Sequence, residues 1–166
     1  MNKEQKRKVQ LQQRTLNESL TFQTMFGAKQ KFDSLTPEIE TRIKEELLVF
    51  ANLGIAKDLM TLRDVMDKVK EQLGYSAEPS KGILAGSYVA YCLGLEPSNP
   101  IVTGKEIEPK DIQVTLLTVL TISYDNEATN EVVKWMKEQG CEFTTYMSQP
   151  MLKLENTRVI IRRVLK

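Results

Sequence analysis

The chain is 166 residues long, 41% hydrophobic and 27% charged, with a net charge of +1 and no histidine. That size and composition fit one globular domain with its own core. The missing imidazole excludes histidine metal sites, serine–histidine nucleophiles and histidine general bases together.

The first 31 residues hold Lys3, Lys6, Arg7, Lys8, Arg14, Lys29 and Lys31 against Glu4 and Glu18 only. Residues 1–31 are therefore expected to form a basic N-terminal helix or arm, ahead of a single domain over 32–166. Such an arm either tracks nucleic-acid phosphates or is a solvated terminus. Val9, Leu16 and Leu20 line one side of the helix, and Gly27 is expected to break it. Thr36 as cap and Pro37 at the first helical position open a second helix, with Ile39, Ile43, Leu47 and Phe50 on one face and Gly54 as its stop. A third carries Leu62, Val65, Met66, Val69 and Leu73 before Gly74. These apolar stripes read as core.

Tyr75 to Ser80 reads as a polar loop leading into a small-residue helix that ends at Gly94. There Lys81 and Gly82 precede Ala85-Gly86-Ser87, which places a hydroxyl and a cation beside the unpaired N–H groups of a helix start. That chemistry suits a phosphate. Small residues equally suit a helix that packs close to a neighbour. Cys92 falls within this apolar helix. It and Cys141 are too far apart in sequence to pair as zinc ligands, and both are expected to be reduced and buried.

Glu96 to Pro109, with three prolines and Gly104, reads as an irregular connection. Ile112 to Tyr124 has the composition of a largely buried strand. Asp125 or Asn126 is expected to cap the next helix, whose Val132, Val133 and Met136 face inward; Trp135 reads equally as packing or as an exposed contact. Strands are expected at 141–147, 151–154 and 159–165, the last two forming a hairpin around Glu155-Asn156-Thr157. Arg158, Arg162, Arg163 and Lys166 add a second basic cluster, either a binding surface or a guard on an edge strand. Helices first, then strand, helix and strands, give an α+β fold with a small mixed or antiparallel sheet. No apolar run reaches membrane-spanning length and the N-terminus is too charged for a signal peptide, so a soluble cytoplasmic protein with no membrane partner is expected.

The segment Lys81-Gly82, Ala85-Gly86-Ser87, Val89-Ala90-Tyr91, Leu93-Gly94 and Asn99-Pro100-Ile101 resembles the glycine-serine motif in the palm of the bacterial DNA polymerase III alpha subunit. Arg42 to Leu47 and Asn52-Leu53-Gly54 resemble the helices that lead into it, so the likeness runs over about residues 37–124. Ile83 replaces the first serine of the motif. The resemblance implies a nucleotidyltransferase-palm-like fold in which Lys81, Gly82, Gly86 and Ser87 hold phosphates. Lys3, Lys6, Arg7, Lys8, Arg14, Arg158, Arg162 and Arg163 are the candidates for contact with nucleic acid.

Where that family has two metal-holding aspartates, this chain has Gln113 and Thr115, and only Asp111 remains a carboxylate. Two-metal phosphoryl transfer needs ionised oxygens that bridge the cations. The chain is therefore expected to be non-catalytic, without a cofactor or metal, and to bind nucleic acid or nucleotide phosphates. The alternative is a protein-interaction regulator that copies part of the replicative polymerase and binds a replication protein. Gln23-Thr24-Met25-Phe26 faintly resembles sliding-clamp peptides and reads first as a buried helix end.

Overall fold

A computed structural model describes residues 1–107 and 117–165. Helix α1 (Lys3–Lys31) starts from a capping box, in which Gln5 N–H donates to the Asn2 side chain at 2.8 Å and Asn2 N–H to the Gln5 side chain at 3.0 Å. Its first half is exposed through residue 15, whereas Leu20, Thr24, Gly27 and Ala28 are buried. The helix does not break at Gly27, contrary to the expectation. A β-carbon at that position would stand 2.1 Å from the Cys92 carbonyl oxygen, so the glycine marks a close crossing. A division at residue 31 thus falls at the end of a helix whose second half belongs to the core, and only about the first half of α1 stands off it.

Helix α2 (Pro37–Leu53) begins as expected, with Ile39 N–H donating to the Thr36 hydroxyl at 3.3 Å, and ends at Gly54 in the left-handed conformation. Helix α3 (Ala56–Leu73) follows almost at once. Its Asp58 is buried and accepts from Asn156 N–H at 2.7 Å and from the Thr157 hydroxyl at 3.0 Å, tying the helix start to a turn about one hundred positions later in the chain. Asp58→Ala leaves both donors unsatisfied. It is expected to cost about 2–3 kcal/mol, read as a lower urea midpoint with an unchanged slope; a shift within error would remove Asp58 as the tie.

The expected single helix ending at Gly94 is two pieces: a 3-10 turn over Gly82–Gly86, then α4 (Tyr88–Leu93). Ser87, extended at ψ 123°, separates them because it is the N-cap of the second. The connection read as irregular contains a further turn, α5 (Pro100–Thr103), where Asn99 caps Ile101 N–H at 2.9 Å and Gly104 closes the end.

Strand β1 (Thr118–Asp125) covers the later part of the expected 112–124 strand; positions 112–116 lie outside the described residues. Asp125 caps α6 (Asn126–Glu138) by accepting from Glu127 N–H at 2.9 Å. Three strands complete the sheet: β2 (Glu142–Tyr146), β3 (Gln149–Lys153) and β4 (Thr157–Val164). The order is β1-β4-β3-β2, with β4 parallel to β1 and antiparallel to β3, and β2 antiparallel to β3. The fold is α+β with a mixed sheet. Leu120, Ile122, Leu152, Val159 and Ile161 join Val132 and Met136 of α6 and Leu59, Leu62 and Met66 of α3 in one core, against which Trp135 packs. Ile83 and Leu84 of the 3-10 turn enter the same core, which explains the isoleucine in place of a motif serine. Among the described residues no helix is long and apolar enough to cross a membrane.

Candidate anion site and basic surfaces

The glycine-serine turn is built around a buried carboxylate. Ser87 is 0% exposed; its hydroxyl accepts from Ala90 N–H at 3.0 Å as the N-cap of α4 and donates to Glu46 Oε1 at 2.6 Å. Tyr88 N–H donates to Glu46 Oε2 at 2.9 Å and Val89 N–H to Oε1 at 3.1 Å. Glu46, 3% exposed and projecting from α2, therefore sits where the free N–H groups of α4 favour negative charge. Arg42 lies one turn earlier, with Nε 3.6 Å from Glu46 Oε2 and its guanidinium 5.9 Å from the Tyr88 ring centre. Burial pushes the Glu46 carboxyl above its ordinary value, against the opposing bonds from Ser87, Tyr88 and Val89.

The four expected phosphate residues divide between surface and interior. Lys81 and Gly82 are exposed, and Gly82 has the left-handed φ of 69° at the start of the turn. Gly86 and Ser87 are buried, and a β-carbon at Gly86 would lie 2.5 Å from the Glu106 backbone. The glycine makes room for the chain itself, and the serine holds Glu46. The sequence reading missed Glu46. Its signal was a carboxylate three residues after Ile43 and four before Phe50, inside an apolar stripe, whereas the expected Leu47 is only partly buried.

A second buried carboxylate fixes the entrance to this segment. Glu96 accepts from Ser80 N–H at 3.0 Å and from Ser98 N–H at 3.2 Å, and burial raises its carboxyl too. The Ser80 hydroxyl donates to the Thr121 carbonyl of β1. Burial pushes the Cys92 thiol up to about 12, as suits an inert core residue.

The basic candidates do not share one environment. Lys3, Lys6, Arg7, Lys8 and Arg14 all lie on the exposed first half of α1, where Arg14 pairs with Glu18 at 3.1 Å. The arginines of β4 are engaged by the fold. Arg158 donates to the Leu154 and Thr157 carbonyls at 2.9 Å, Arg162 to the Ser123 hydroxyl and the Pro79 carbonyl at 3.0 Å, and Arg163 to the Asn126 carbonyl at 3.3 Å and the Asn130 side chain. Strand alternation puts Arg158 and Arg162 on one face and Arg163 on the other, and β4 lies between β1 and β3, so these arginines do not guard an edge strand. Lys166 lies outside the described residues.

Asp111, Gln113 and Thr115 also lie outside them. Of the acids after β1, Asp125 caps α6 and Glu131 accepts from the Tyr75 hydroxyl at 3.0 Å. Among the described residues no three histidine, cysteine, aspartate or glutamate side chains are grouped to hold a metal ion. Of the clamp-like segment, Thr24 is buried within α1 and Gln23 accepts from Arg63 at 2.7 Å.

These features define an α+β domain with a mixed sheet and a glycine-serine turn whose helix start is filled from within by a carboxylate. The chain belongs to the family of the bacterial DNA polymerase III alpha NTPase domain, whose family model matches residues 16–153. That match is wider than the 37–124 expected and takes in the core half of α1. The chain is also 28% identical over 102 residues to a DNA polymerase III subunit alpha from Yersinia pestis, a stretch covering 59% of this chain and 8% of that protein.

Proposed function

We propose that this chain is a non-catalytic relative of the polymerase III alpha palm that holds nucleic-acid backbone in a process linked to DNA replication. The contact is made by the exposed basic half of α1, with Lys81 at the glycine turn as an accessory cation. The observation that carries this reading is the division of labour among the candidates. The anion position at Ser87 is taken by Glu46, whereas Lys3, Lys6, Arg7, Lys8 and Arg14 stand in solvent on one helix, with Glu4 as the nearest acid in sequence to the first four and Glu18 paired with Arg14. Such a row attracts phosphates by counterion release, and each contact adds to the salt dependence. The non-catalytic part is supported by Gln113 and Thr115, neither of which carries an ionised oxygen.

The test is fluorescence anisotropy of labelled primer–template and single-stranded DNA at low salt, repeated up a salt series with and without magnesium and nucleotide. Lys6→Glu/Arg7→Glu/Lys8→Glu should weaken binding at least tenfold. The slope of log affinity against log salt should become shallower by about 2 to 3, since each phosphate contact contributes roughly 0.9. Lys81→Ala should weaken binding less than the triple change. Equal affinity of the triple variant and the parent chain would sink the arm as the contact.

A second reading, association with a replication protein, is favoured by Phe22 and Phe26, 73% and 54% exposed one turn apart on α1. It is the reading left standing if the parent chain binds neither DNA at high protein concentration.

A further inference from the structure

The two edges of the sheet are treated differently by this chain. The outer edge of β1 is met by Glu78, whose N–H donates to the Ser123 carbonyl at 2.7 Å in an antiparallel bridge. The outer edge of β2 has no strand beside it among the described residues, because β2 stands last in the order β1-β4-β3-β2.

Which groups of β2 face outward follows from the ladder phase. Leu154 N–H donates to the Thr157 carbonyl at 3.1 Å, so the even-numbered residues of β3 direct their main-chain groups toward β4 and the odd-numbered ones toward β2. Pro150, which has no N–H to give, falls in the set turned away from β2. The partners of Gln149, Met151 and Lys153 are Tyr146, Thr144 and Glu142, which therefore bond inward. The N–H and C=O groups of Phe143 and Thr145 are left pointing out. The two-residue turn Met147-Ser148, with φ of 49° and 66°, fits this phase, because a type I′ hairpin closes on a hydrogen-bonded pair.

We propose that β2 pairs antiparallel with β2 of a second copy of this chain about a two-fold axis at Thr144, joining the two sheets into one. The segment is self-complementary in this register. Phe143 of each copy exchanges main-chain hydrogen bonds with Thr145 of the other, and all five strand residues overlap. On one face Phe143 lies opposite Thr145, an aromatic and β-branched pair; on the other, Glu142 lies opposite Tyr146 and Thr144 meets its own copy. No like charges are opposed. A net charge of +1 leaves little repulsion between whole chains. β2 lacks most of the usual guards of an unpaired edge: Glu-Phe-Thr-Thr-Tyr contains no lysine or proline, its one charge, Glu142, stands at the end of the strand, and its register with β3 has no bulge. An isologous interface closes at two copies, so the product is a dimer and not a fibre.

Sedimentation velocity of the full chain over a range of concentrations should show a monomer–dimer equilibrium. Thr144→Lys places two cations at the axis. Thr145→Pro removes one outward N–H of each copy without touching a bond to β3. Both variants should keep the parent circular dichroism and raise the dimer dissociation constant at least tenfold. In a Cys141→Ser background, Thr144→Cys should form a disulfide-linked dimer on oxidation, because residues opposed across a non-hydrogen-bonded position are close enough to bridge. A monomer at every concentration overturns the proposal. So does a dimer that survives both substitutions, since it would be held elsewhere.

Discussion

Gly27→Ala is expected to lower stability by about 2–3 kcal/mol, although alanine is the better helix former. Intrinsic propensity alone predicts a gain of about 1 kcal/mol for an alanine in place of a glycine inside a helix. Here the new methyl would meet the Cys92 carbonyl oxygen at 2.1 Å and its carbon at 2.9 Å. These are backbone atoms of α4 and cannot rotate away, so one helix must shift. Overpacking of this kind costs roughly 1–3 kcal/mol, occasionally more.

The shift would disturb a set of contacts built on the crossing. Phe32 at the end of α1 lies against Tyr88 and Tyr91 of α4, with ring centres 6.0 and 5.4 Å apart, and Lys31 sits 4.9 Å from the Tyr91 ring centre. The readout is the melting temperature. For a domain of this size 1 kcal/mol is worth about 2–4 °C, so a fall of roughly 4–12 °C is expected. An unchanged or higher melting temperature would show that the helices do not cross so closely.

Glu46→Leu is expected to be comparably or more damaging, by about 3 kcal/mol or more. It leaves the Tyr88 and Val89 N–H groups and the Ser87 hydroxyl without their acceptor in a closed site, and each buried donor left unsatisfied costs about 1–3 kcal/mol. Glu46→Gln keeps the shape and one acceptor oxygen. Its amide group must face a donor, so a loss of about 1–2 kcal/mol is expected.

The two variants also test the ionisation of the site. The carboxyl of Glu46 lies above its ordinary 4.5 in the folded chain because burial disfavours its charged form. A raised folded-state value means that the folded chain binds the proton more tightly than the unfolded one. Its contribution to stability is then fully present below 4.5 and is lost as pH rises through the folded-state value. Glutamine does not titrate. The stability difference between parent and Glu46→Gln, from urea melts, should therefore shrink as pH rises from 4.5 through the raised folded-state value. A difference that grows with pH would mean that the α4 N–H groups and Arg42 outweigh burial.

Much of the fold was legible in the sequence because its signals are local. Thr36-Pro37 and Asp125 open helices by capping chemistry, and Gly54, Gly74 and Gly94 close them with positive φ of 69°, 78° and 80°, conformations that other residues adopt at a cost. The strands expected at 141–147, 151–154 and 159–165 stand at 142–146, 149–153 and 157–164. The mixed order of the sheet was not legible, because the parallel pairing of β1 with β4 is set by a crossover through α6 and the β2–β3 hairpin.

The candidate site divides the same way. The glycine-serine segment is a sequence feature, and it led to the correct family. What fills it was decided by α2, whose Glu46 lies 41 positions before Ser87 and reaches it only when the helices pack. Gly27 carries the same lesson. Alone it reads as a helix breaker, and in the fold it is the point where two helices touch. Composition, caps and periodicity act over a few residues, so the sequence by itself determined the longer elements and the ends that carry a cap or a closing glycine, such as Thr36, Gly54 and Asp125. Which buried carboxylate meets which helix start, which arginines remain in solvent, and which sheet edge is left open depend on contacts between distant segments, and those only the tertiary structure decided.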